Sequence, residues 1–183
     1  GSGRTATAIE AGGKHTCAIL DNSSIKCWGY NASGQLGLGE TDNRGDNSSE
    51  MGDNLPVVDL GTGRTAKVIA AGSDHTCAIL DNESIKCWGS NNAGQLGLGD
   101  TNNRGADPDG GDQMGDILPS VDLGAGRTAR GIIAGDNQTC AILDNASIKC
   151  WGSNTAGQLG LGNTSNRGDN SSEMGDNLPV ISL

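Results

Sequence analysis

The chain has 183 residues, and its 22 acidic and 12 basic side chains give a formal net charge of −10. This charge argues against a nucleic-acid-binding surface, because such surfaces are basic. Glycine supplies 31 residues, whereas Phe is absent and only three Trp and one Tyr occur, a composition that excludes a helical bundle. The apolar runs are short, so the sequence predicts no membrane-spanning segment.

The sequence consists of three copies of one unit. Cys17, Cys77 and Cys140 follow one another at spacings of 60 and 63 residues, and the three tryptophans have the same spacing. We therefore predict three repeats, at residues 1–62, 63–125 and 126–183. The second repeat carries three extra residues, which indicates a surface loop that tolerates insertion.

Each copy has the pattern of a small antiparallel sheet. Short apolar runs bounded by Gly, Asn, Asp and Pro predict strands, in the first copy, at residues 7–11, 15–20, 24–28 and 57–60. The apolar run CAIL does not alternate with polar residues, which is typical of a strand covered on both faces. The predicted fold class is all-β, with three propeller-type blades of about four antiparallel strands each.

Three strings recur through the chain: HTCAILDN (QTCAILDN in the third copy), SIKCWG and NxxGQLGLG. Together they resemble the repeat of the regulator of chromosome condensation family, whose members form seven-bladed β-propellers. The resemblance implies that the glycines of GQLGLG form tight turns, a role that suits glycine because it tolerates positive φ. Three blades make an incomplete, open arc of such a ring or part of a longer array, so the outer faces of the first and last blades should expose apolar surface.

Six cysteines fall into three pairs, each around an Asp-Asn-x-Ser turn. A three-residue loop centred on Asn22 would place Cys17 opposite Cys27 on adjacent strands, close enough for a disulfide. We predict the disulfides Cys17–Cys27, Cys77–Cys87 and Cys140–Cys150; free buried cysteines and a zinc site are the alternatives. Zinc is disfavoured because the pairs are not CxxC. Disulfides indicate a secreted or cell-surface protein.

Eight asparagines lie in the N-x-Ser/Thr pattern: Asn22, Asn31, Asn47, Asn82, Asn137, Asn145, Asn163 and Asn170. The pattern predicts N-linked glycans, first at the hairpin tips Asn22, Asn82 and Asn145, and next at Asn47 and Asn170. The alternative is that Asn and Ser serve only as turn residues, with Asn adopting the left-handed conformation of the loop.

Two other groups of residues raise the question of a metal or catalytic site. Asp107, Asp109 and Asp112 are calcium candidates, but the cluster occurs in one copy without a downstream bidentate Glu, so a solvated loop and no metal are favoured. His15 and His75 occupy one repeat position that Gln138 fills in the third copy, which favours a hydrogen-bonding structural role. The sequence contains no recognisable catalytic set and no phosphate loop, so we predict neither an enzyme nor a cofactor other than N-linked glycans.

Repeated arginines and aspartates suggest ion pairs that orient the loops. The candidates are Arg4, Arg64 and Arg127 with Asp53, Asp116 and Asp176.

Two functions fit these features. The first is an extracellular structural protein whose disulfide-stapled blades assemble with other copies of the chain into a filament or surface array, because near-identical repeats suit stacking. The second, which the resemblance implies, is a secreted propeller that binds or inhibits another protein, as a secreted bacterial β-lactamase inhibitor does on a similar scaffold. Neither function involves nucleic acid.

Overall fold

The structure is a computed structural model that describes residues 3–106 and 113–183. The calcium candidates Asp107, Asp109 and Asp112 lie outside the described residues. The described chain forms three antiparallel sheets of three strands, one within each predicted repeat, so the predicted all-β class is confirmed. No helix in these two ranges is long and apolar enough to cross a membrane.

Each sheet, here called a blade, is a meander whose strands follow chain order. Blade 1 consists of β1 (Ala6–Ala11), β2 (His15–Leu20) and β3 (Ile25–Gly29); blade 2 of β4 (Ala66–Ala71), β5 (His75–Leu80) and β6 (Ile85–Gly89); blade 3 of β7 (Ala129–Ala134), β8 (Gln138–Leu143) and β9 (Ile148–Gly152). After the third strand, a loop returns to the sheet through a pair of hydrogen bonds, as between Gly29 and Arg44.

The prediction of a fourth strand at residues 57–60 is wrong. This segment makes one backbone hydrogen bond to the sheet, from Val58 N to Ile25 O at 2.9 Å. Pro56 has no N–H to offer, and the Asp59 carbonyl accepts from Gly115 N of the second repeat at 3.1 Å. The chain therefore leaves the sheet here and crosses towards blade 2.

The β2–β3 hairpin has the predicted register, with Cys17 opposite Cys27. The left-handed residue of its loop is Ser23, at φ +62°, rather than Asn22. The side chain of Asn22 instead accepts hydrogen bonds from Ser24 N at 3.3 Å and Ser24 Oγ at 2.8 Å. The Asn thus stabilises the turn through its side chain, while the next residue takes the positive φ.

Two apolar cores hold the three blades together, and each lies between neighbouring blades. The first joins Ile19 and Ile25 of blade 1 to Ile69 and Trp88 of blade 2. The second joins Ile79 and Ile85 of blade 2 to residues of blade 3 that include Trp151. Because side chains alternate along a strand, each blade needs a neighbour on both sides to bury its two faces.

Candidate functional site

The feature that repeats in this protein is the junction between two blades. We call the face that a blade turns to the following blade its back face, which in blade 1 carries Cys17, Ile19 and Ile25. The face turned to the preceding blade is its front face, which in blade 2 carries Thr76 and Trp88. Each internal junction therefore joins one back face to one front face.

A buried polar network lies at the centre of the first junction. Thr76 Oγ1 and Trp88 Nε1 both donate to the backbone carbonyl of Gln35, at 2.9 and 3.1 Å. His15 Nε2 lies 2.8 Å from the same Thr76 hydroxyl. Because Thr76 uses its hydrogen on Gln35, His15 must donate through Nε2–H, which fixes the tautomer of the neutral imidazole.

The second junction repeats this network with the next set of residues. His75 Nε2 lies 2.9 Å from Thr139 Oγ1, and Thr139 donates to the Gln95 carbonyl at 2.9 Å. Trp151 Nε1 donates to the same carbonyl at 3.0 Å. The predicted hydrogen-bonding role of His15 and His75 is confirmed, and both side chains hold one blade to the next.

Between pH 6.5 and pH 4 the protein is expected to lose about 3 kcal/mol of stability through His75. Burial, reinforced by the charge of His15, lowers the pKa of His75 from 6.5 to about 4, and burial also lowers the pKa of His15 against the attraction of Asp74. The unfolded chain takes up a proton in this range while the folded chain does not. The free energy of unfolding therefore falls as the pH drops from 6.5 towards 4, which urea unfolding at stepped pH measures.

The substitution His75→Gln provides the matched control, because Gln138 fills the same position in blade 3. A glutamine amide can donate the same hydrogen bond without titrating. The variant should unfold within about 1 kcal/mol of the wild type at pH 7.5 and lose less stability on acidification. Equal pH dependence in the two proteins would show that His75 is not the titrating group.

Two blade faces have no neighbouring blade among the described residues, as expected for an open arc. On the front face of blade 1, Ile9 is 63% exposed, whereas its counterpart Ile69 in blade 2 is 3% exposed. On the back face of blade 3, Ile142 is 48% exposed, whereas Ile79 is 2% exposed. The same positions are thus core where a neighbouring blade is present and surface where none is.

The open back face of blade 3 forms an apolar concavity of about 250 Å³. Its lining residues are Gly131, Ile132, Ile133, Cys140, Ala141, Ile142 and Ile148. Ile133 is the most exposed of the isoleucines there, at 69%. The concavity thus exposes apolar surface that is buried at the equivalent positions of blades 1 and 2, such as Ile19 and Ile79.

All six cysteines are described, and they form the three predicted disulfides, with no free thiol. Each bridge joins facing residues of a hairpin at a Cα–Cα distance of 4.1 Å. The bridges of blades 1 and 2 lie in the two cores between blades, so they staple the back face that receives the next blade. Within the described ranges, no group of three or more His, Cys, Asp or Glu side chains could hold a metal ion.

Seven of the eight predicted glycosylation residues are exposed: Asn22, Asn47, Asn82, Asn137, Asn145, Asn163 and Asn170. Asn31 is fully buried, and its Nδ2, the atom that would carry a glycan, donates to the carbonyls of Glu40 at 2.8 Å and Asp42 at 3.0 Å. Asn91 and Asn154 occupy the same position with similar bonds but lack a Ser or Thr two residues later. The structure therefore assigns Asn31 to loop closure and argues against a glycan there.

The predicted ion pairs between the arginines and Asp53, Asp116 and Asp176 are wrong. Arg4, Arg64 and Arg127 instead pair with the hairpin-loop carboxylates of Asp21, Asp81 and Asp144. Asp116 accepts hydrogen bonds from Thr62 at 2.6 and 2.8 Å, and these bonds lower its pKa. The hairpin loop lies beside the start of its own blade, which brings the aspartate within reach of the arginine.

Two sets of junction residues are not predicted by the sequence pattern. The Gln35 side chain donates to Asp74 of blade 2 at 2.9 Å, in addition to the two bonds that its carbonyl accepts. Lys86 is buried and donates to the carbonyls of Leu60 at 3.0 Å and Gly115 at 2.6 Å. The recurrence of Gln in GQLGLG and of Lys in SIKCWG could have indicated these contacts. Neither side chain is required by the geometry of the turn or the strand, so its repetition points to a specific partner.

The sequence profile of the regulator of chromosome condensation (RCC1) repeat matches residues 6–35, 67–95 and 132–158, and a second profile of this repeat matches residues 27–79. The ultraviolet-B receptor UVR8 of Arabidopsis thaliana is 29% identical over 167 residues, which cover 90% of this chain and 33% of that protein. The X-linked retinitis pigmentosa GTPase regulator of Mus musculus is 31% identical over 159 residues, which cover 86% of this chain and 14% of that protein. The chain thus spans a third or less of the length of these relatives.

The crystal structure of Prp20p from Saccharomyces cerevisiae superposes on 97% of this chain and 38% of its own chain, with a TM-score of 0.67 and 19% sequence identity. At this identity the similarity shows the fold. The three blades thus follow the arc of a propeller of this kind, and the profile matches fall in all three repeats. The chain belongs to the regulator of chromosome condensation (RCC1) repeat family.

Proposed function

We propose that this chain is a non-enzymatic structural repeat protein of the cell exterior, which assembles into a filament or surface array by stacking blades end to end. One observation carries the proposal: the chain presents an open front face and an open back face of the same kind as those it buries in its own junctions. Residues such as Ile9 and Ile142 are core residues in the other blades. An end-to-end contact of this type extends an array without requiring a closed dimer.

The disulfides and the exposed sequons support the extracellular part of the proposal. Disulfides persist in oxidising compartments, and this chain has no cysteine outside a disulfide. The hairpin tips Asn22, Asn82 and Asn145 are exposed and lie at equivalent positions of the three blades. Glycans there would occupy the same end of every blade, the end opposite the β1–β2 turns, and would leave the back and front faces free.

A second candidate is a propeller that binds another protein. The relatives favour it, because the mouse protein is named a GTPase regulator and the Prp20p structure is described with its binding to Gsp1p and histones. In that case, other blades would cover both open faces, and the partner would bind the loops. The near-identity of the loops in the three repeats favours the structural function.

Sedimentation of the oxidised chain over a range of concentrations tests the structural function. We expect the mass to rise from the 18.5 kDa of one chain through multiples of it, with elongated or curved particles in electron microscopy. A single 18.5 kDa species at every concentration would overturn assembly.

Peptide mapping of the protein from its natural source tests the compartment independently. Glycans on hairpin-tip asparagines and the absence of free thiols are expected. Reduced cysteines would overturn an extracellular location.

A further inference from the structure

We propose that the open back face of blade 3 binds the open front face of blade 1 of a second copy of this chain, so that copies join head to tail in one direction. This inference rests on the proposed function and specifies its contact. The second copy is the expected occupant because its front face presents the same kinds of groups that the back faces of blades 1 and 2 already bind. The contact continues an interface that the chain contains twice.

The apolar parts of the two open faces match. In the internal junctions, Glu10 of β1 and Ala70 of β4 line one cavity together with two isoleucines of the blades that follow them. These are Ile69 of β4 and Ile132 of β7. Blade 3 carries Ile133 at the position of Glu10 and Ala70. Head-to-tail contact would place Ile133, which is 69% exposed, beside Ile9 of the second copy, which is 63% exposed. The open back face is therefore more apolar at this point than either internal one.

The polar groups fix the direction of the contact. At the first internal junction, Trp88 Nε1 and Thr76 Oγ1 of the front face donate to the Gln35 carbonyl of the back face, while His15 of the back face donates to Thr76. The counterparts are Trp28 and Thr16 on the open front face and the Gln158 carbonyl on the open back face. Two back faces would oppose one Gln carbonyl to another without the Trp and Thr donors, and two front faces would leave those donors without the carbonyl, so the head-to-tail contact is the one that repeats the internal pairing.

Two positions distinguish the new junction from the internal ones. Gln138 stands where His15 and His75 donate to a threonine, and its amide can donate to Thr16 of the second copy in the same way. Lys14 occupies the repeat position of Asp74, which accepts a hydrogen bond from the Gln35 side chain in the first junction. A lysine ammonium cannot accept a hydrogen bond, so the new junction lacks this one bond. The contact between copies therefore contains no histidine and should persist at pH 5.

Single-face variants test the inference by sedimentation velocity at about 0.5 M salt, which screens the repulsion between copies of net charge −10. Ile9→Asp introduces a carboxylate on the front face of blade 1, and Ile133→Asp introduces one on the back face of blade 3. Each variant alone should remain monomeric, with association weakened about 100-fold or more by burial of an unpaired charge. Ile117→Asp, at a site that is 72% exposed in the short 3₁₀ helix Gly115–Ile117 of the second repeat, is the matched control and should assemble like the wild type.

Mixing the two variants gives the decisive result. Ile9→Asp retains a normal back face and Ile133→Asp a normal front face, so an equimolar mixture should form a 1:1 complex that does not grow further. If Ile9→Asp alone still dimerises, like faces bind each other and the head-to-tail contact is overturned, although the proposed function stands. If the wild type never associates, the proposed function fails as well.

Discussion

Reduction of the three disulfides is expected to lower the free energy of unfolding by about 8 kcal/mol and to unfold the protein near room temperature. Each bridge closes a loop of ten residues. In the chain-entropy model, such a loop contributes about 2.7 kcal/mol by restricting the unfolded chain. Folded domains are usually stable by only about 5–15 kcal/mol, so losing all three bridges removes most of the margin. Far-UV circular dichroism during urea unfolding, with and without a phosphine reductant, measures the difference.

Paired alanine variants separate the entropy of the bridges from their packing. The loops are equal in length, so the entropic loss is the same for Cys77→Ala/Cys87→Ala and for Cys140→Ala/Cys150→Ala. The first pair is fully buried in the core between blades 2 and 3, whereas Cys140 lines the open back face of blade 3. The first variant should therefore lose more stability than the second. Unchanged unfolding midpoints on reduction would mean that the bridges contribute nothing to the free energy of unfolding.

Replacing Trp88 by alanine is expected to cost about 3–5 kcal/mol of stability. Trp88 is fully buried in the core between blades 1 and 2, and its Nε1 donates to the Gln35 carbonyl at 3.1 Å. The substitution leaves a large cavity at the junction and removes one of the two hydrogen bonds that this carbonyl accepts. Urea unfolding followed by circular dichroism measures the loss. Fluorescence is unsuitable, because removing Trp88 changes the tryptophan signal itself.

Trp28 provides the control, since it occupies the same position in blade 1 but lies half-buried on the open front face. Trp28→Ala should cost less than about 2 kcal/mol in the monomer, because much of the side chain is already in water. It should also weaken assembly, since Trp28 belongs to the contact proposed between copies. Equal losses of stability in Trp28→Ala and Trp88→Ala would contradict the assignment of Trp88 to the junction.

The contacts within one hairpin were predictable because they depend on residues that are close in the chain. The Asp-Asn-x-Ser loop sets the register around Asn22, and that register alone places Cys17 opposite Cys27. The period of two in a strand then puts both cysteines on one face of the sheet. The third copy has Gln138 at the position of His15 and His75, which likewise indicated a hydrogen-bonding role. Glutamine can form hydrogen bonds as histidine does, but it does not titrate.

Contacts with partners outside the hairpin were not predictable. Asn31 and Asn22 carry the same three-residue pattern, yet one closes a buried loop and the other is exposed. Residues 57–60 have a strand-like pattern, but the Asp59 carbonyl binds a glycine of the next repeat and takes the segment out of the sheet. In each case the conformation depends on a hydrogen-bond partner about 10 to 60 residues away in the chain. Only the packing of the chain brings that partner into contact.

The amino-acid sequence alone predicted the repeat, the first three strands of each blade and the disulfide pairing, because these follow from local hydrogen bonding and alternation; it overpredicted a fourth strand. The tertiary structure decided which positions are core and which are surface. Ile9 and Ile69 are the same residue at the same repeat position, and their exposures of 63% and 3% differ only because one has a neighbouring blade. Whether a residue is buried depends on whether a neighbouring blade covers its face, and the residue itself does not determine this. The open faces, and the binding proposed for them, could therefore be identified only from the packing of the blades.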